Sequence, residues 1–222
     1  MFGERLPLAE AYAHMLATDG VVRGLIGPRE APRIWDRHLL NCAAIAELVP
    51  SGARVVDVGS GAGLPGLVLA LSRPDTSIAL VEPLARRAAF LGEVVGRLGL
   101  AESVTVVRAR AEEVAAQPPP GFGPADIVTA RAVAPLDRLT AWCLPLARVG
   151  GRLLALKGAS AADEVMHHGE AVRHAGGAPP VVRRCGVGVI DPPATVVEVV
   201  RERATPSSAP RGGRGAGQRS RR

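Results

Sequence analysis

Residues 55–66 constrain the fold of this chain more than any other segment. They read Val55-Val56-Asp57-Val58-Gly59-Ser60-Gly61-Ala62-Gly63-Leu64-Pro65-Gly66. A short β-branched apolar run suits a strand buried on both faces. Glycines then occupy alternate positions, and a proline follows where a helix would take its first turn. Glycine accepts positive φ and lets a ligand approach the backbone closely. In open parallel sheets, ligands bind outside the carboxyl ends of the strands, where such a turn lies. The segment predicts a strand, a ligand-holding loop and a helix, and with them an α/β fold.

The rest of the chain repeats that alternation. Apolar runs and their breaks predict strands over 54–58, 77–81, 104–108, 126–130 and 151–156. Helices are predicted over 65–72, 84–98, 111–116, 136–146 and 161–175. Two extended runs, 181–190 and 194–203, are joined by Asp191-Pro192-Pro193 and predict an antiparallel pair. Ahead of the sheet, 5–18 and 31–49 predict helices. The second carries Ile34, Leu39, Leu40, Ile45 and Leu48 at near-helical spacing.

Two cofactor classes fit the glycine loop. Gly61-x-Gly63-x-x-Gly66 satisfies the dinucleotide fingerprint, and Glu82, ending the second strand, would hydrogen-bond a ribose in either class. Three features favour S-adenosylmethionine. Asp57 precedes the first glycine by two, as in the D-x-G-x-G-x-G of methyltransferases, whose acid organises the loop. The cofactor has no pyrophosphate, so a longer loop receiving its amino-acid end makes sense. The chain also lacks room for a separate substrate domain. Ala111 and Glu112, after the third strand, stand where such a fold reads adenine, and Arg131 follows the fourth strand at the edge of the expected cleft. For Glu112 and Arg131 the plainer roles are an acid suiting a helix start and a structural salt bridge.

The expected fold class is therefore α/β: a seven-stranded, Rossmann-like class I methyltransferase sheet. It is mostly parallel, with an antiparallel last strand and an edge made by the closing hairpin. A final hairpin after five strand–helix units suits a methyltransferase better than a dehydrogenase. The expected organisation is a helical extension over 1–50, a methyltransferase domain over 51–204 and a disordered, arginine-rich tail over 205–222.

Charge supports the same division. The formal net charge is +6, but residues 206–222 hold five arginines and no acid. Setting those aside leaves 22 of the 27 basic side chains against 21 acids, so the folded part is near neutral. The Gly/Ser/Pro/Arg tail cannot bury apolar surface. It reads as a solubilising end or a non-specific RNA-contacting arm. No apolar run reaches the roughly eighteen residues of a membrane span, the first residues do not form a secretory signal, and Cys42, Cys143 and Cys185 have no metal-binding spacing. These features predict a cytoplasmic protein with reduced thiols, no bound metal and no membrane contact, expected to be a monomer.

The methyl acceptor is read by elimination. Methylation of an exocyclic amine usually uses Asn/Asp-Pro-Pro-aromatic after the fourth strand; this chain has Thr129-Ala130-Arg131-Ala132-Val133-Ala134. Asp191-Pro192-Pro193 falls between the last strands and reads as a hairpin. Carbon-5 pyrimidine methylation needs a cysteine nucleophile, and Cys143 lies in a predicted helix. Guanine N7 has an in-plane lone pair and no proton to remove, so alignment and electrostatics suffice. Arg131 and Lys157, the only lysine, are the groups expected near the acceptor base, where both suit the guanine O6 acceptor. Two alternatives stay open: a small-molecule methyltransferase, and a non-catalytic protein that binds rRNA through its tail. The first is disfavoured because only three Phe, two Trp and one Tyr could line an apolar pocket.

The chain resembles the RsmG (GidB, glucose-inhibited division protein B) family of 16S rRNA guanine-N7 methyltransferases. The likeness runs through Trp35-Asp36-Arg37-His38-Leu39-Leu40-Asn41, the Asp57–Gly66 loop with its Gly-Leu-Pro-Gly extension, and Glu82 with Arg86-Arg87-Ala88-Ala89-Phe90-Leu91. It continues through Arg110-Ala111-Glu112-Glu113, Arg131-Ala132-Val133-Ala134 and Leu156-Lys157-Gly158. The resemblance implies a methyltransferase acting on a guanine in the 530 loop of 16S rRNA, presented as rRNA or small ribosomal subunit. It also implies cofactor contacts from Gly59, Leu64, Ala111, Glu112 and Arg131. Where the family usually continues Asp-Ser after Arg-His-Leu-Leu, this chain has Asn41-Cys42, and its arginine tail is not part of the shared pattern.

Overall fold

The computed structural model describes residues 1–131 and 134–204. The tail expected over 205–222, and Ala132 and Val133 of the segment after the fourth strand, lie outside the described residues. Seven strands form one sheet: β1 (Arg54–Val58), β2 (Ser77–Val81), β3 (Val104–Val107), β4 (Ala125–Arg131), β5 (Ala147–Lys157), β6 (Val181–Cys185) and β7 (Ala194–Val200). Their spatial order is β3-β2-β1-β4-β5-β7-β6. The first five are parallel, and β7 is antiparallel to both β5 and β6. The closing hairpin thus forms the edge as expected. The antiparallel strand β7 itself lies one place in from that edge, with β6 outermost.

The alternation of strand side chains explains why these runs are apolar throughout. Val55, Ile78, Ile127, Leu154 and Val196 enter the core on one face, while Val56, Val81, Val128, Leu153 and Val197 enter the core on the other. The first face is covered by α3 (Gly66–Ser72), α4 (Ala85–Arg97) and the N-terminal extension with α1 (Leu6–Met15) and α2 (Leu40–Ala44). The second is covered by α5 (Ala111–Ala116), α6 (Leu136–Cys143) and α7 (Ala161–His174). α4 buries Phe90, Leu91, Val94 and Val95, a stripe at helical spacing.

Local departures from expectation have local causes. The helix expected over 136–146 ends at Cys143 and continues as a tight turn over Leu144–Leu146, because Pro145 cannot sit inside an α-helix. The run expected as strand to residue 190 stops at Cys185, where Gly186 and Gly188 take positive φ. The segment 31–49 is helical but not uniformly so. A wide π turn over Ile34–Leu39 precedes α2, and a tight turn over Ile45–Leu48 follows. The extension is fastened to the sheet by Arg73 at the end of α3, whose guanidinium donates to the carbonyls of Ala46, Val49 and Pro50. No described helix is long and apolar enough to cross a membrane.

Candidate active site

Strand order reverses between β1 and its two neighbours, so the loops leaving β1 and β4 part and open a crevice at their carboxyl ends. A cleft of about 870 Å³ lies there, bounded by the glycine loop, the end of β2, the end of β3, Arg131, and Leu25, Ile26 and His38 of the extension.

Asp57 lies beneath the loop, fully buried. Its Oδ2 accepts from the Gly66 amide at 3.2 Å and its Oδ1 from the Thr129 hydroxyl at 2.9 Å. Ser60 donates to the Asp57 carbonyl at 2.9 Å. This one side chain therefore ties the end of β1 to the start of α3 and to β4. Burial pushes its carboxyl up to about 6, against the pull of those hydrogen bonds. It organises the loop and does not line the cleft.

Glu82 accepts from the Gly61 amide at 2.9 Å through Oε2 and from the Leu84 amide at 3.0 Å through Oε1. It closes the loop across the mouth of β2 and borders the cleft together with Gly59, Gly61 and Leu64. Gly63 is turned away. Its φ is +101°, and an added Cβ would meet Leu67 and the Tyr12 hydroxyl. Ala111 and Glu112 line a neighbouring hollow of about 190 Å³, which shares Gly59, Pro83, Ala109 and Arg110 with the cleft.

Arg131 lines the cleft, but its guanidinium is held by the extension. Nη1 donates to Cys42 Sγ at 3.2 Å, and Nη2 donates to the Arg37 carbonyl at 3.1 Å and to His38 Nδ1 at 2.8 Å. Lys157 does not join it in the cleft. Its ammonium, one-tenth exposed, donates to Glu164 at 2.7 Å and to the Ala134 carbonyl at 2.8 Å. Glu164 also accepts from the Leu136 amide at 3.0 Å, so the pair fastens β5 to the starts of α6 and α7.

Two participants escaped sequence reasoning. Tyr12, the only tyrosine, is buried and donates to the Ala62 carbonyl inside the glycine loop at 2.8 Å. Cys42 is also buried, and that burial pushes its thiol up to about 11. A lone aromatic hydroxyl in an Ala-rich helix was the available signal for Tyr12. Cys42 stood out only as a departure from the family's Asp-Ser pattern.

Among the described residues, each carboxylate and the imidazole bordering the cleft makes at least one hydrogen bond. Glu82 takes two amides, Glu113 accepts from the Arg110 amide at 2.8 Å, and His38 lies between Arg131 and Glu30. Among the described residues Arg87 and Arg108, also on the cleft, pair with no acid.

Comparison with known proteins gives a consistent picture. The profile of the family described as GidB, rRNA small subunit methyltransferase G, matches residues 5–188. The chain is 64% identical over 225 residues to the ribosomal RNA small subunit methyltransferase G of Salinispora tropica, across 96% of this chain and 91% of that one. It is 53% identical to the protein of the same name from Corynebacterium efficiens, across 91% and 86%. Among solved structures, it is similar to Aeropyrum pernix fibrillarin in complex with natively bound S-adenosyl-L-methionine. That match has a TM-score of 0.54 and 18% identity, over 74% of this chain and 75% of that chain. A SAM-dependent O-methyltransferase from Thermotoga maritima matches with a TM-score of 0.54 and 17% identity, over 73% and 65%. At such identities the structural likeness is one of fold.

Proposed function

The chain belongs to the rRNA small subunit methyltransferase G family, and from that premise we propose that it transfers a methyl group from S-adenosylmethionine to N7 of a guanine in the 530 loop of 16S rRNA. The observation that supports the acceptor is that each candidate base on the cleft already serves a structural role. Every carboxylate and imidazole bordering the cleft among the described residues is already hydrogen-bonded. Guanine N7 needs none, because its lone pair lies in the ring plane with no proton to lose.

The cradle fits the cofactor. Gly59, Gly61 and Leu64 offer backbone at close range for its amino-acid end. The carboxylate of Glu82 keeps lone-pair capacity beyond its two amides for ribose hydroxyls. The hollow beside Ala111 and Glu112 takes the adenine. When bound, the cofactor supplies a methyl group on a sulfonium, already activated for transfer. What remains for the chain is alignment and field. Arg131 borders the place where an acceptor base would lie and donates to the guanine O6 edge. Lys157 acts at one remove, holding the segment after β4 through Ala134. Arg87 and Arg108 suit the phosphate backbone of the RNA.

The test combines purified protein, methyl-labelled S-adenosylmethionine and small subunits from cells lacking the gene. The label should map to one guanine, be susceptible to the depurination and strand scission of 7-methylguanine, and vanish with Arg131→Ala. Tight adenosylhomocysteine binding without transfer to RNA would instead point to a small-molecule acceptor.

A further inference from the structure

The imidazole of His38 lies on the cleft wall between two charged groups. Its Nδ1 is 2.8 Å from Arg131 Nη2 and its Nε2 is 3.0 Å from Glu30 Oε2. A guanidinium has only donors, so Nδ1 must present its lone pair. The ring hydrogen is then on Nε2, where the Glu30 carboxylate accepts it. Both neighbours select the same neutral tautomer. Arg37 reinforces the arrangement twice, with its carbonyl on Arg131 at 3.1 Å and its guanidinium on Glu30 at 3.3 Å.

Resting on the transfer reading above, we infer that His38 is the positioning residue for Arg131: its neutral Nε2–H imidazole, oriented by Glu30, holds the guanidinium where transfer needs it, and protonation of the ring releases it. An imidazolium carries a hydrogen on Nδ1, which cannot accept from arginine and repels it. The charged groups facing the ring are Glu30 ahead of its turn, Arg37 beside it and Arg131 from β4. Burial and the Arg131 charge hold His38 below its usual range against the pull of Glu30. The Cys42 thiol, on the same guanidinium, stays neutral. Asp57 also titrates near acid pH, at about 6, so a decline in rate toward acid does not by itself implicate His38.

Asparagine at this position separates the two, because its Oδ1 can replace Nδ1 as acceptor and takes no proton. Methyl transfer to small subunits is measured over about pH 5 to 8, with adenosylhomocysteine affinity in parallel. His38→Ala should lower kcat about 30-fold while cofactor affinity stays within about 3-fold. His38→Asn should recover to within about 3-fold of wild type and lose less rate toward acid. A His38→Asn protein as slow as His38→Ala, or an acid limb unchanged by asparagine, overturns the inference. If the wild type transfers nothing to RNA, the proposed function falls, and the ring ¹⁵N spectrum of the unliganded protein decides the His38 pairing separately. A bare Nδ1 and protonated Nε2 support it; the other tautomer, or an imidazolium at neutral pH, overturns it.

Discussion

The phenol of Tyr12 donates to the carbonyl of Ala62 at 2.8 Å, so the middle of the glycine loop is tethered to the first helix of the extension. Both residues are buried, and burial holds the phenol protonated, well above its ordinary range. Tyr12→Phe leaves that carbonyl unsatisfied, at a cost of about 1–3 kcal/mol. The variant should fold with a lower melting temperature and bind adenosylhomocysteine at least about 5-fold more weakly. Titration calorimetry beside a thermal melt checks both, and unchanged affinity would mean the loop keeps its shape without the tether.

Gly66 takes no positive φ, so its requirement is space. A methyl group there would lie 2.8 Å from Asp57 Oδ2 and against Leu80. Gly66→Ala should lose about 1–3 kcal/mol of stability through overpacking, with the Asp57 hydrogen bond strained as well. Urea unfolding reads this as a lower midpoint; an unshifted midpoint would show that Leu80 and the carboxylate can yield.

Asp57 makes stability depend on pH in an unusual direction for a carboxylate. Its folded-state value, about 6, lies above the ordinary 3.8. The folded chain therefore holds this proton more tightly than the unfolded chain. The contribution is full below about pH 4 and is lost as pH rises through about 6. Asp57→Asn, which keeps an acceptor for the Gly66 amide, takes up no such proton. Between about pH 4 and 7 the wild type should lose on the order of 3 kcal/mol relative to the variant. Parallel unfolding curves that do not diverge over that range would refute it.

Lys157 and Glu164 form a mostly buried pair, 10% and 19% exposed. Lys157→Met leaves the carboxylate without its cation and should cost about 3 kcal/mol. Lys157→Met with Glu164→Leu should regain only part of that stability, since an apolar pair can replace a buried ionic one but the Leu136 amide and the Ala134 carbonyl lose their partners. Methyl transfer should stay depressed in the double variant, with adenosylhomocysteine affinity retained. Recovery of both stability and rate would remove Lys157 from any part in transfer.

Much of the sheet was legible because each buried strand is a compact apolar run between glycine and proline breaks, as in Val55–Val58 or Ile78–Val81. Asp57 and Glu82 were legible as acids at the ends of such runs, where ligands of parallel sheets bind. The connections between distant segments were not. Tyr12 meets Ala62 and His38 meets Arg131 across 50 and 93 residues, and no local periodicity encodes such meetings. The π turn over Ile34–Leu39 was hidden for a related reason: apolar spacing marks a helix but not the wider winding that accompanies the Arg37 and His38 contacts. Lys157 read as a group near the acceptor base because its partner lies seven residues on, across a turn and on the next helix.

The reversed run of β7 fixes the end of the sheet at which the chain leaves it. Thr195 pairs with Lys157 at the cleft end of the sheet, and Val200 pairs with Arg152 at the opposite end. Seven residues of strand therefore carry the chain about 20 Å away from the cleft. Residues 201–204 thus leave the sheet at the end opposite the cleft. Removal of residues 206–222 should therefore leave adenosylhomocysteine affinity unchanged, and a binding titration checks it.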